Sequence, residues 1–202
     1  LNQGNIGEYY NTNRSIAGFA QLEFHVTDKL DIVAGGRITN DKKYGSFRYG
    51  VTPASLAFTD SDYDDTRFTY LLGVNYKLNS DVLLYAKYST AYVSGGTSAS
   101  LPFVPETVKS AEAGIKGEFL NNKLRTNLTA WWADVKHAQS PSSSNTVPSL
   151  FAEICARVSN PACNGSFISV FVVDAGSKES WGVEFEAMAA PADGGTIGGN
   201  AS

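Results

Sequence analysis

The sequence predicts an all-β protein: an antiparallel transmembrane β-barrel of which this chain supplies about 7–8 strands. Three observations predict it. Every second residue from Phe68 to Leu78 is apolar, while Arg67, Thr69, Leu71, Gly73, Asn75 and Lys77 between them form a far more polar set. Such period-two alternation marks a strand with two unlike faces. The run is about twice the usual strand of 5–6 residues, and a tilted strand of roughly 9–11 residues crosses the hydrocarbon core of a bilayer. Short and long connections also alternate along the chain, as they do between the two sides of an outer-membrane barrel.

Taken in order, the alternation places strands near 15–26, 30–49, 64–78, 82–93, 107–119, 123–138 and 172–190, with a partial eighth from about 195. The first and second are joined by Thr27-Asp28-Lys29, the third and fourth by Asn79-Ser80-Asp81, and the fifth and sixth by Asn121-Asn122-Lys123. Asn, Asp and Ser suit tight turns because they bond nearby amides and tolerate left-handed backbone. Pro191-Ala192-Asp193-Gly194 supplies a fourth turn, and the long connections fall near 50–63, 94–106 and 139–171.

Side-chain period assigns the faces. Leu124, Leu128, Ala130 and Trp132, with Val82, Leu84, Ala86 and Tyr88, are expected to face lipid. Arg37, Asn75, Lys77, Lys87, Glu112, Lys116, Glu118, Arg125 and Asn127 are expected to face the lumen. Trp131 and Trp132 are both expected at the bilayer interface.

Composition agrees. Charged residues are 18% of the chain, below the roughly 25% of soluble domains, and 10 Tyr, 11 Phe and 3 Trp can furnish an interfacial girdle. A net charge of −4 without a basic stripe argues against a nucleic-acid partner. No apolar run reaches the roughly 18 residues of a membrane helix. The chain shows no signal peptide, and it reads as one partial barrel domain, residues 1–202, cut from a longer protein.

Four segments in order carry a family resemblance: LDIVAGGRITNDKK from Leu30, LLYAKYSTAYVSGG from Leu83, FVPETVKSAEAGIKGEFLNNKLRTNLTAWWADVKHAQ from Phe103, and DAGSKESWGVEFE from Asp174. Together they resemble the barrel of a TonB-dependent outer-membrane receptor. The resemblance implies a 22-stranded barrel, with an N-terminal plug and further strands outside this chain. It also implies a place in the outer membrane of a Gram-negative bacterium, in contact with its lipid. The implied function is energy-coupled uptake of a scarce nutrient, by default a ferric siderophore, driven through the TonB system. A passive porin or small structural barrel, and a soluble β-sandwich binding module, are the alternatives.

Candidate sites follow. Cys155 and Cys163 share the longest loop, and an oxidising exterior would join them in a disulfide. Asp60, Asp62, Asp64 and Asp65 cluster in what reads as a solvated acidic loop. A calcium loop from Asp60 would need Gly and Glu where Asp65 and Leu71 stand. His25 and His137 read as isolated, without a carboxylate or Cys cluster, so neither a zinc site nor a catalytic centre is expected. No cofactor is implied. Tyr49 and Tyr92 are the places to look for ligand contact.

Overall fold

The computed structural model describes residues 6–50, 59–99, 101–157, 163, 170–192 and 194–202. In chain order the elements are β1 (Ile6–His25), β2 (Leu30–Gly50), β3 (Thr59–Lys77), β4 (Val82–Val93), β5 (Gly96–Ser98), β6 (Leu101–Phe103), β7 (Glu106–Phe119), β8 (Leu124–Lys136), β9 (Gln139–Ser142), α1 (Pro148–Arg157), β10 (Phe171–Asp174), β11 (Lys178–Ala192) and β12 (Gly195–Ala201). Eight of the strands form one antiparallel sheet in the order β1-β2-β3-β4-β7-β8-β11-β12, leaving β1 and β12 as its edges. Two two-stranded sheets, the β5–β6 hairpin and the β9–β10 pair, lie outside it. No described helix is long and apolar enough to cross a membrane.

The tight turns form as their side chains dictate. Thr27 Oγ1 accepts from the amides of Lys29 and Leu30 at 3.2 and 3.0 Å, and Asn79 Oδ1 accepts from the Asp81 amide at 2.9 Å. Asn121 and Asn122 take φ of 56° and 64°, the left-handed region that Asn tolerates. Three segments differ from the sequence reading. Strands β1 and β3 begin earlier than expected, at Ile6 and Thr59, and the expected strand 172–190 is two elements. The chain breaks after Asp174, where Gly176 adopts φ of 90°, so β10 pairs with β9 and only β11 joins the main sheet.

A soluble sandwich would bury one face of this sheet on a second sheet. Here the apolar face is open: Phe68 is 65% and Trp181 76% exposed, among a continuous set of large apolar side chains. Along β3 exposure alternates residue by residue, with the apolar members outside. A curved sheet crowds its concave side and splays its convex side, so the convex face is the apolar one. On β3 it turns polar between Phe68 and Thr66, and on β8 between Trp132 and Asp134. Following the register from Trp132 through Ala111 and Tyr88 arrives at Leu72 on β3, four residues below Phe68. Four steps of about 3.3 Å against three strand spacings of about 4.8 Å tilt the strands by about 40° to the membrane normal, the tilt a barrel requires. At that tilt, the stretch from Phe68 to Leu78 stands about 25 Å tall, the height of an outer-membrane apolar band.

Candidate functional site

The concave face is the lumen wall. Register places Arg37, Asn75, Lys77, Lys87, Glu112, Lys116, Glu118, Arg125 and Asn127 together on it, as the alternation predicts. Its charges are paired across strands: Lys87 Nζ lies 2.7 Å from Glu112 Oε2 and Arg125 Nε 3.1 Å from Glu118 Oε1. The Tyr85 and Thr129 hydroxyls meet at 2.8 Å, and Lys116 Nζ stands 5.0 Å over the Tyr85 ring. Trp131 is a correction to the sequence reading. It shares the lumen face with Asn127 and donates from Nε1 to Glu184 at 3.1 Å. Consecutive strand residues point to opposite sides, so only Trp132 belongs to the interfacial belt. There it sits opposite Trp181 and donates to Glu179 at 2.6 Å.

At the outer mouth the Gly-rich loop leans onto the inner faces of β2 and β3. Lys43 Nζ donates to the Gly95 carbonyl at 2.6 Å and lies 5.7 Å from the Tyr63 ring centroid. The Tyr63 hydroxyl accepts from the Gly95 amide at 3.2 Å and donates to Asp65 at 3.0 Å, which also takes the Arg67 Nε–H at 2.6 Å. Gly95 is held so closely that a Cβ there would stand 2.7 Å from the Phe103 carbonyl oxygen. Tyr92, one of the two places named for ligand contact, donates to Asp41 at 2.6 Å, so its hydroxyl braces the mouth. Tyr49 belongs to β2 by its backbone, but its side chain lies outside the described residues.

The acidic segment is strand, not loop. Asp60, Asp62 and Asp64 lie on the outer face of β3 above the apolar band, and Asp65 alternates to the inner face. Asp64 accepts from Lys42 Nζ and Asn40 Nδ2, both at 2.8 Å, and Asp60 from the Ser46 hydroxyl at 2.7 Å. The Tyr63-Asp65-Arg67 set on the inner face went unrecognised in the sequence reading, although carrying the period-two count upstream of residue 64 finds it.

Above the mouth the two long connections share a small core. Leu101 and Phe171 are fully buried with Val173, packed by Phe47, Leu150, Phe151 and Ile154. Cys155 of α1 is disulfide-bonded to Cys163, with Cα atoms 5.5 Å apart. The Gln139 side-chain amide points at three carbonyls, those of Val93, Ser94 and Val104, at 3.1 to 3.4 Å. Its backbone amide donates to Glu106 at 2.8 Å. Gln139 thereby ties the two connections together, and no sequence pattern announces it.

Neither histidine is isolated, contrary to expectation. His137 Nδ1 is 2.7 Å from Asp174 Oδ2. That hydrogen bond, with one from the Gly176 amide, holds the Asp174 carboxyl below its ordinary range against a smaller effect of burial. His25 Nδ1 is 2.6 Å from Asp31 Oδ1, and Glu23 lies beside them. Residues six apart in sequence meet because the turn at 26–29 sets His25 opposite Asp31.

Comparison with known proteins places this architecture. A model of the TonB dependent receptor-like β-barrel matches residues 2–200. The ferric-pyoverdine 358 receptor of Pseudomonas putida is 29% identical over 143 residues, 69% of this chain and 17% of the receptor. The ferripyoverdine receptor of Pseudomonas aeruginosa is 29% identical over 119 residues, 57% of this chain and 13% of that protein. The chain thus spans less than a fifth of the curated relatives it matches. Among solved structures, the ferric yersiniabactin uptake receptor of Yersinia pestis superposes with a TM-score of 0.71 at 19% identity, covering 97% of this chain and 28% of its own. The chain therefore belongs to the TonB-dependent receptor-like β-barrel family, and its sheet is part of a barrel in the outer membrane of a Gram-negative bacterium.

Proposed function

We propose that the receptor containing this chain takes up a ferric siderophore across the outer membrane, with energy relayed by the TonB system. The observation that carries this reading is the pair of relatives at 29% identity, both named as receptors for iron-loaded pyoverdine. The geometry accords with it: a wall of paired charges lines the lumen, and outer loops braced on rigid strands are where recognition belongs. In this reading strands outside residues 1–202 close the barrel, and a plug inside it gates the path. The Cys155–Cys163 bond holds the recognition loop in shape at the oxidising cell exterior.

The test is uptake of radiolabelled iron, supplied as ferric pyoverdine and other ferric siderophores, by cells expressing or lacking the intact receptor. Uptake that needs both the receptor and TonB is the expected result. Uptake of small solutes that ignores TonB would instead make the barrel a passive porin. No change on deleting the receptor would sink the siderophore reading.

A further inference from the structure

We infer that Glu23, His25 and Asp31 form a binding site for a divalent first-row transition ion at the inner rim of the lumen, beside the short turn at 26–29. The hairpin builds the site. Glu23 and His25 are two apart on β1 and so share its lumen face. Asp31 on β2 stands directly opposite His25 in the antiparallel register, which brings the two Cβ atoms within about 5.5 Å. The outer face of the same rungs carries Phe24 and Ile32, so the three polar groups have no route to the lipid side. Their nearest nitrogen and carboxylate oxygens all lie within 4.8 Å of one another.

Donors around an ion at about 2.1 Å in tetrahedral geometry are about 3.4 Å apart, so the widest pair must close by up to about 1.4 Å while His25 Nδ1 and Asp31 Oδ1, now 2.6 Å apart, part slightly. Asp31 is buried on β2 and anchored between His25 and Lys77, so the adjustment falls to the longer His25 and Glu23 side chains of β1. Glu23 lies beside the His25–Asp31 pair on the same face of the edge strand β1. Asp31 shares one oxygen with His25 and has Lys77 Nζ 3.6 Å from the other. Two carboxylates therefore face a single lysine, whose Nζ lies 3.6 Å from Asp31 and which is itself 54% exposed. An incoming ion replaces the proton between His25 and Asp31, which leaves to solvent, and displaces Lys77.

One imidazole nitrogen with two carboxylate oxygens suits Zn2+, Cu2+ or Ni2+ rather than Ca2+ or Mg2+. Three protein donors leave a coordination position open for water, unlike the closed four-ligand set of a structural site. The site does not depend on which ligand the receptor imports.

The experiment is titration of the intact, metal-stripped receptor in detergent with Cu2+, followed by electron paramagnetic resonance, and with Zn2+, followed by calorimetry. The native protein is expected to hold one equivalent of Cu2+ with nitrogen hyperfine coupling that His25→Ala loses and His137→Ala keeps. Glu23→Gln is expected to weaken binding by about tenfold or more, since losing even an outer-shell partner of a metal site costs about 10–100-fold, and Lys77→Met to tighten it. Heat-dependent gel mobility shows that each variant is a folded barrel. If folded His25→Ala binds as many ions as the native protein with the same spectrum, or if the native protein binds none, His25, Asp31 and Lys77 are an ion-pair network and the inference is wrong.

Discussion

Two glycines on the lumen wall are filled from across the strand. Gly114 faces Tyr85, and a Cβ added there would stand 2.7 Å from Tyr85 Cε1 and its hydroxyl oxygen. Gly182 faces Trp131 in the same way, at 2.9 Å from ring carbon Cζ2. The missing side chains let both rings lie along the wall and reach polar partners, Thr129 for Tyr85 and Glu184 for Trp131. A β-branched residue at Gly114 lifts the Tyr85 ring off the wall and parts it from Thr129. Gly114→Val is therefore expected to destabilise the barrel by about 1–3 kcal/mol, the usual range for overpacking. Adding Tyr85→Ala should return part of that loss, because only the Leu128 carbonyl oxygen, also 2.7 Å from the added Cβ, then opposes the valine. Urea unfolding of the intact receptor in detergent checks both variants. Equal losses in the single and double variants would show that the backbone, not the ring, dislikes the valine.

The strands show what the sequence makes legible and where it stops. Period two is strong wherever one face meets lipid, and so it predicts β2, β4 and β7 to within a residue of their observed ends. It weakens where a strand leaves the membrane. On β3 the outer positions change from Phe68, Tyr70 and Leu72 to Thr66, Asp64, Asp62 and Asp60; the hydrogen-bond ladder to β2 continues unbroken, but the apolar signal has gone. The acidic stretch consequently read as a loop. The inner-face residues of the mouth are hidden for the same reason, and Gln139 because its three carbonyl partners lie 35 to 46 residues away. A charge scan along β3 tests the placement of the band. Leu72→Arg, near the middle of the apolar stretch, is expected to cost about 2–4 kcal/mol. Asp62→Arg, on the same face but above the band, should stay within about 0.5 kcal/mol. Equal costs at the two positions, measured by unfolding from lipid bilayers, would contradict a band that ends at Phe68.

The whole sheet is lopsided, and its asymmetry shapes the mouth. β1, β2 and β3 run 20, 21 and 19 residues, whereas β4, β7, β8 and β11 run 12 to 15. The long strands form a wall above the membrane, and the loops of the short strands rest on its inner side. The β5–β6 hairpin is fixed there by a Ser61–Thr97 hydroxyl pair at 2.8 Å and by Lys43 and Tyr63 on Gly95, and Leu101 of β6 enters the core that Phe47 of β2 helps to cover. Several polar contacts plus a buried apolar anchor make this hairpin a strut rather than a lid, since segments that open need few buried contacts. Cysteines at Ser61 and Thr97, bridged by oxidation or by a short thiol-reactive linker, distinguish the two. If the hairpin is a strut, the bridge forms readily and siderophore-supplied iron enters the bridged receptor at the native rate. If it must swing aside for the ligand, uptake falls when the bridge forms and returns when it is cleaved. In the uptake reading proposed above, a strut leaves entry to the outer loops that stand clear of the long wall.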